Sequence, residues 1–266
     1  MPVQKSKAFA IMKYYTLIFL FSLVVLGCQT DPDPYMIINQ AIKAHGGDNY
    51  DGSHISFSFR DRNYTIRLNG GEFTYERSWE DSLGKVHDVL DNQGFTREIN
   101  GEKFSLSEED QQRYANSLNS VIYFALLPQP LNNPAVNATY LGTDTVKSEL
   151  YHKVRVSFNQ EGGGTDFEDI FVYWFHQDKY TMDYLAYEFH VNGGGTRFRE
   201  AYNVREINGI RFADYINYTD TLNEFSLADY DKQFKADQVQ ELSRIDLENV
   251  EVEAIKPPNI AAKEPS

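Results

Sequence analysis

From Ile55 onward the chain alternates apolar and polar residues in short runs: 55–60, 64–68, 73–80, 86–91, 95–99 and 102–106. A period of two sends successive side chains to opposite faces, so each run reads as a half-buried strand. Asn69-Gly70-Gly71, Ser82-Leu83-Gly84, Asn92-Gln93-Gly94 and Asn100-Gly101 separate most of them. Turn residues at this spacing predict an antiparallel meander. Further strands are predicted at 139–144, 151–159, 167–175, 183–192, 196–205 and 210–219, with a last one at 239–252. Helical spacing occurs twice. Asp33 and Pro34 can open a helix through about His45, with Ile38, Ala41 and Ile42 on one stripe and Gly46-Gly47 ending it. Ser107 with Asp110 opens a second, in which Tyr114, Leu118, Val121, Ile122 and Ala125 recur before Pro128 and Pro130 stop it. The pattern predicts an α+β, mainly β fold: a curved antiparallel sheet with helices packed on its concave face. Residues 35–253 form one domain in this reading, and 254–266 a disordered tail.

Two strands say more. The run Ile170 to Phe175 is apolar on both faces, Ile170, Val172 and Trp174 on one and Phe171, Tyr173 and Phe175 on the other. Such a strand is covered on both sides. One cover is expected to be the helix from Ser107; the second must be another layer, a partner or a ligand. In the next hairpin, a loop over 192–195 pairs Val191 with Thr196, Phe189 with Phe198, Tyr187 with Glu200 and Leu185 with Tyr202. That register gathers Tyr187, Phe189, Phe198 and Tyr202 on one face, and with Trp174 they are the candidate ligand-binding residues. The other face then carries Glu188 opposite Arg199 and His190 opposite Arg197, a polar cluster that is either a solvated set of ion pairs or the lining of a cleft.

The N-terminal region changes the picture from fold to location. After Lys13 comes the apolar run Leu17 to Leu26, broken only by Ser22, then Gly27-Cys28. About ten apolar residues are too few to span a bilayer as a helix, which takes about 20. Val25-Leu26-Gly27-Cys28 resembles the bacterial lipobox, so residues 1–27 read as a lipoprotein signal peptide, with Met12 a possible true start, and Cys28 as the lipidated residue. Residues 28–34 form a short polar tether. The expected location is the cell envelope, lipid-anchored at the outer membrane, on its periplasmic face or at the cell surface.

Cys28 is the only cysteine, so no intrachain disulfide is possible and a lipidated sulfur leaves no thiol nucleophile. The formal charge is −14, from 25 basic and 39 acidic residues. Removal of 1–27 takes Lys5, Lys7 and Lys13 and leaves −17. Such a surface disfavours nucleic acid. With 18 Tyr and 18 Phe, the aromatic residues concentrate in the strand-like runs and fit a β-rich domain.

The lipobox, the short first helix, the long meander, the mid-chain helix, Tyr173-Trp174-Phe175 and the segment Gly193-Gly194-Gly195-Thr196-Arg197-Phe198-Arg199-Glu200 together resemble a family of uncharacterised Gram-negative lipoproteins. These in turn are similar to the half-barrel of the periplasmic lipoprotein carrier LolA. The resemblance implies an open barrel with helices across its mouth and an interior suited to acyl chains. It brings no catalytic motif. Nor does the chain offer a Gly-x-Ser-x-Gly elbow, a phosphate-binding glycine loop ending in Lys and Ser or Thr, or His-Glu-x-x-His spacing. No cofactor and no metal are expected. The leading expectation is a noncatalytic, monomeric envelope lipoprotein binding a lipid or acyl chain. The alternatives are a protein-interaction lipoprotein without a pocket, or an enzyme built on Glu188, His190, Arg197 and Arg199.

Overall fold

In the computed structural model, which describes residues 31–161, 168–190, 194–220 and 226–254, Asp33 caps helix α1 (Pro34–His45) by accepting the Tyr35 N–H at 3.0 Å. Ser107 caps α2 (Glu108–Leu126) by accepting the Asp110 N–H at 3.1 Å. Both starts follow from short polar side chains satisfying amides that have no partner inside the helix. All the elements below belong to the unit Asp33–Ser266. The proposed cleavage and lipidation site around Cys28 lies outside the described residues, as does the tail beyond Ala254.

The strands form two unclosed, seven-stranded antiparallel sheets rather than one. The first runs in the order β14 (Glu248–Ala254), β1 (Ser53–Phe59), β2 (Arg62–Asn69), β3 (Glu72–Asp81), β4 (Gly84–Asp91), β5 (Gly94–Ile99) and β6 (Glu102–Lys103). The second runs β13 (Val239–Ile245), β12 (Ile210–Asp220), β11 (Gly195–Ile207), β10 (Met182–Phe189), β9 (Ile170–His176), β8 (Glu149–Phe158) and β7 (Val136–Val146). The expected strand at 239–252 is thus two strands, one on the edge of each sheet. Their junction is held to the second sheet: Asp214 accepts the Leu247 N–H at 2.9 Å, and Arg205, paired with Asp214 at 3.1 Å, donates to the Leu247 carbonyl at 2.5 Å. At the β5–β6 turn, Asn100 and Gly101 take φ of 55° and 83°. An Asn-Gly pair adopts that two-residue turn at low cost.

The helices α1 and α2 lie on the inner faces. Leu118, Ile122 and Leu126 of α2 pack on Ile55, Phe57, Tyr64 and Ile66 of the first sheet. Its Tyr123 and Phe124, with Ile37, Ile38 and Ala41 of α1, pack on Val154, Phe171, Tyr173 and Phe175 of the second. Beneath α2 the first sheet also buries a charged row, Arg77, Asp88 and Arg97, in cross-strand register. Asp88 accepts from Arg77 at 2.6 Å and from Arg97 at 2.6 Å.

The outer face of the second sheet has its own cover, which the strand-length patterning did not reveal. Residues 227–229 and the short helix α3 (Tyr230–Lys235) lie over Val172, Trp174, Ala186 and Phe198. Tyr230 stacks on Phe198 at 5.7 Å and 4° between planes, and Trp174 meets the same ring edge-on at 5.6 Å. Lys153 ties the cover down by donating to the Ala228 carbonyl at 2.9 Å and facing Asp231 at 3.5 Å. Asp231 and Asp144 share the site: burial and the hydrogen bond between them push Asp231 up to about 6. Both faces of β9 are therefore covered, and the second layer is the chain itself.

Candidate functional site

The hairpin between β10 and β11 decides which side chains face inward, and its register differs from the sequence expectation. Leu185 pairs with Arg199, Ala186 with Phe198, Tyr187 with Arg197 and Phe189 with Gly195. The pairing is displaced by an odd number of residues, so β11 turns over relative to β10. Two contacts account for it. Phe198 is drawn to the outer face, where it is fully buried between Trp174, Tyr184 and Tyr230. On the inner face the Phe189 ring lies over Gly195, where a Cβ would come within 3.3 Å of it.

The expected groupings change accordingly. Tyr187 and Phe189 face inward, as candidates for lining a cavity should. Trp174 and Phe198 are fully buried under the outer cover and belong to that packing. Tyr202 is half-buried and bonded through its hydroxyl to Asp246, with Arg244 over its ring at 5.4 Å. The expected polar quartet does not assemble. Arg197 and Arg199 share the inner face with Tyr187, whereas Glu188 pairs across the strand with Thr196 and His190 lies at 3.4 Å from Asp169. The Glu188–Arg199 and His190–Arg197 pairs, on which an enzyme reading rested, are absent among the described residues.

Between the two sheets, alongside α2, lies a cavity of about 1040 Å³, at the upper end of the volume usual for small-molecule sites. Its wall is a continuous set of rings. Phe171 is 6.0 Å from Tyr123, 5.9 Å from Phe158 and 5.7 Å from Tyr187, and Phe124 is 5.2 Å from Tyr187. Ile245, Leu247 and Val121 extend the apolar lining. Exposed Asn69, Asn119 and Asn132 sit on its rim. Polar side chains share the lining with the rings, Arg197, Arg199, Asn217 and Ser243 among them. The Tyr123 and Tyr173 hydroxyls bond each other at 3.1 Å, and burial raises both far above the usual phenol range. Arg199 donates to the Tyr187 hydroxyl at 2.8 Å and to Asn217 Oδ1 at 3.4 Å, and Asn217 in turn donates to Ser243 at 3.3 Å.

Sequence reasoning identified the face of Phe171 and Tyr173 as apolar but missed Phe124, Phe158, Tyr215 and Asn217 as parts of one lining. They come from three elements, α2, β8 and β12, and no local spacing links them. Among the described residues no group of three His, Cys, Asp or Glu side chains is placed to hold a metal ion. No described helix is long and apolar enough to cross a membrane.

A family model, described as a family of unknown function, DUF6503, matches residues 14–241. No curated protein matches the chain. Among solved structures the chain is similar to a DUF1329 family protein from Desulfovibrio piger, at 11% identity over 83% of this chain and 93% of that one, with a TM-score of 0.49. It is also similar to a LolA superfamily protein from Nitrosomonas europaea, at 12% identity over 83% and 94%, with a TM-score of 0.46. A third is the Mycobacterium tuberculosis lipoprotein LppX, at 12% identity over 61% and 91%, with a TM-score of 0.28. At these levels of likeness, any functional reading rests on the chain's own residues.

Proposed function

The chain belongs to the DUF6503 family, and from that premise we propose that it is a noncatalytic envelope lipoprotein whose inter-sheet cavity holds a lipid or acyl chain. In this reading residues 1–27 are a signal peptide and lipid on Cys28 fixes the domain to a membrane, the outer membrane by preference. An anchored binding domain holds or receives its ligand rather than ferrying it.

The observation that carries the reading is the cavity of about 1040 Å³ walled by rings from both α2 and the second sheet. A globular interior is normally close-packed. A space of this size, walled by aromatic rings on one side and also lined by polar groups such as Asn119, Arg199 and Asn217, fits an amphiphilic ligand. The interaction alternative loses support, because the aromatic outer face it would need is already covered by residues 227–235. The enzyme alternative loses support with the separation of Glu188 and His190 from Arg197 and Arg199.

The test is chain-length dependence. Each methylene moved from water into an apolar site contributes about 0.8 kcal/mol. Affinity of the delipidated full chain for straight-chain alcohols is therefore expected to rise roughly tenfold for every two carbons, then level off when the cavity is full. Affinity that does not vary with chain length would reject the reading.

A further inference from the structure

Of the three buried arginines among the described residues, Arg77 and Arg97 share Asp88, whereas Arg199 has no carboxylate partner. Arg199 is 8% exposed and lines the cavity. Its described partners are all neutral: the Tyr187 hydroxyl, the Asn217 amide oxygen, and the faces of Phe124 at 4.1 Å and Tyr187 at 4.9 Å. The nearby phenols supply no negative charge. Burial pushes Tyr215 up to about 12 and Tyr173 higher still, so both keep their protons at neutral pH. Two of the carboxylates on the cavity's wall are engaged elsewhere, Asp51 with the Gly70 N–H at 2.7 Å and Asp169 with His190 at 3.4 Å. Arg197, two residues along the same strand face, lines the same space with its guanidinium 5.0 Å from the Phe189 ring.

A buried cation without an anion is costly, because its lost hydration is not repaid by a counter-charge. Asn217, held by Ser243, and Tyr187 fix the guanidinium through Nε and one Nη, which leaves the other Nη free to meet an incoming group. We propose that Arg199, with Arg197 beside it, anchors the anionic head group of an acyl-chain ligand whose tail lies against the Phe124, Phe171 and Tyr187 rings. The head group is a carboxylate or a phosphate monoester, either of which matches the planar fork of a guanidinium. A free inorganic anion is a poor fit, since the chain's net charge of −14 repels it and only a tail supplies compensating burial. This inference rests on the acyl-ligand reading above and specifies its polar end.

The test compares palmitate, monohexadecyl phosphate, hexadecanol and inorganic phosphate as competitors of a fluorescent acyl probe bound to the delipidated full chain. At least one of the two anionic amphiphiles is expected to bind roughly 10- to 100-fold tighter than hexadecanol, and the tighter of them identifies the head group. In Arg199→Gln that preference is expected to vanish, the anionic probes losing roughly 10- to 100-fold more affinity than hexadecanol; Arg199→Lys should keep part of it. Should Arg199→Gln not fold, the comparison on the unaltered protein still decides. Hexadecanol binding as tightly as both anions, or an anion preference that survives in Arg199→Gln, would overturn the head-group assignment and leave the apolar cavity standing. Inorganic phosphate competing as well as monohexadecyl phosphate would overturn the amphiphile. Binding of none of the three chain-bearing probes would remove this inference and the acyl-ligand reading together.

Discussion

The two faces of β9 carry the same kind of residue and meet different fates. Outside, Val172 and Trp174 are sealed by Tyr230 and Phe234, with Lys153 and Asp231 fastening the seal. Inside, Phe171 and, on the neighbouring β10, Tyr187 pack against Phe124 of α2 and border the cavity. Arginines divide in the same way: Arg77 and Arg97 close on Asp88, and among the described residues Arg199 closes on neutral groups alone. Aromatic content therefore does not distinguish a core from a binding wall. What covers the face does.

The contrast can be broken most forcefully from outside. Trp174→Ala removes a fully buried indole from the outer packing, and a stability loss of about 4 kcal/mol is expected by urea unfolding. Acyl-probe affinity of the folded fraction should stay the same; a large loss of affinity would mean that the two faces are not independent. Asp88→Asn leaves two buried guanidiniums facing a neutral amide, with an expected cost of about 3 kcal/mol in the same assay. No cost would show that a neutral partner suffices for buried arginine in this fold, and the special status of Arg199 would lapse.

A smaller effect is carried by pH. His45 is buried at the end of α1, where its Nε2 accepts the Met182 N–H at 3.0 Å. Burial, with Arg211 nearby, lowers its pKa to about 3. The unfolded imidazole titrates near 6.5, so below that pH the unfolded chain takes up a proton that the fold refuses. Stability contributed by neutral His45 is complete above about 6.5 and is lost toward 3, at about 1.4 kcal/mol per pH unit. Between pH 7 and 5 the His45 share of the loss is about 2 kcal/mol, partly offset by Asp231, whose raised pKa favours the fold as pH falls; His45→Gln should remove that share and change the pH slope of stability by that amount, and identical slopes would contradict it. The smallest stability change is expected on the inner face. Phe189→Ala, at a half-buried position, should alter unfolding by no more than about 1 kcal/mol while weakening acyl-probe binding several-fold, the reverse of Trp174→Ala.

Much of this fold was legible because local chemistry decides it. Asp33 and Ser107 cap helices wherever apolar stripes follow, and Asn100-Gly101 dictates its own turn. The inner and outer assignment was not legible, because it hangs on a single register. Considered alone, the hairpin favours Phe189 opposite Phe198; the stacking of Phe198 beneath Tyr230 reverses that choice from over 30 residues away in sequence. Helix α3 has six residues, too few to show a periodic stripe. The division of one expected sheet into two turns on Leu247, whose backbone is held by Asp214 and Arg205. The lone charge of Arg199 is likewise a long-range fact, since its sequence neighbour Glu200 points to the other face and pairs with Lys147. Alternation places Tyr187 and Phe189 together on one face of β10 but does not say which side is which, and the observed side leaves Trp174 and Phe198 in the outer packing.

Photolabelling tests the difference between the faces most directly. A fatty acid carrying a diazirine in its chain, bound to the full protein and irradiated, is expected to mark peptides containing Val121 to Phe124, Phe171, Tyr187 or Tyr215, which wall the cavity. Labels concentrated on Leu227 to Lys235, or scattered over the exposed surface, would contradict the assignment of the inner face as the binding wall.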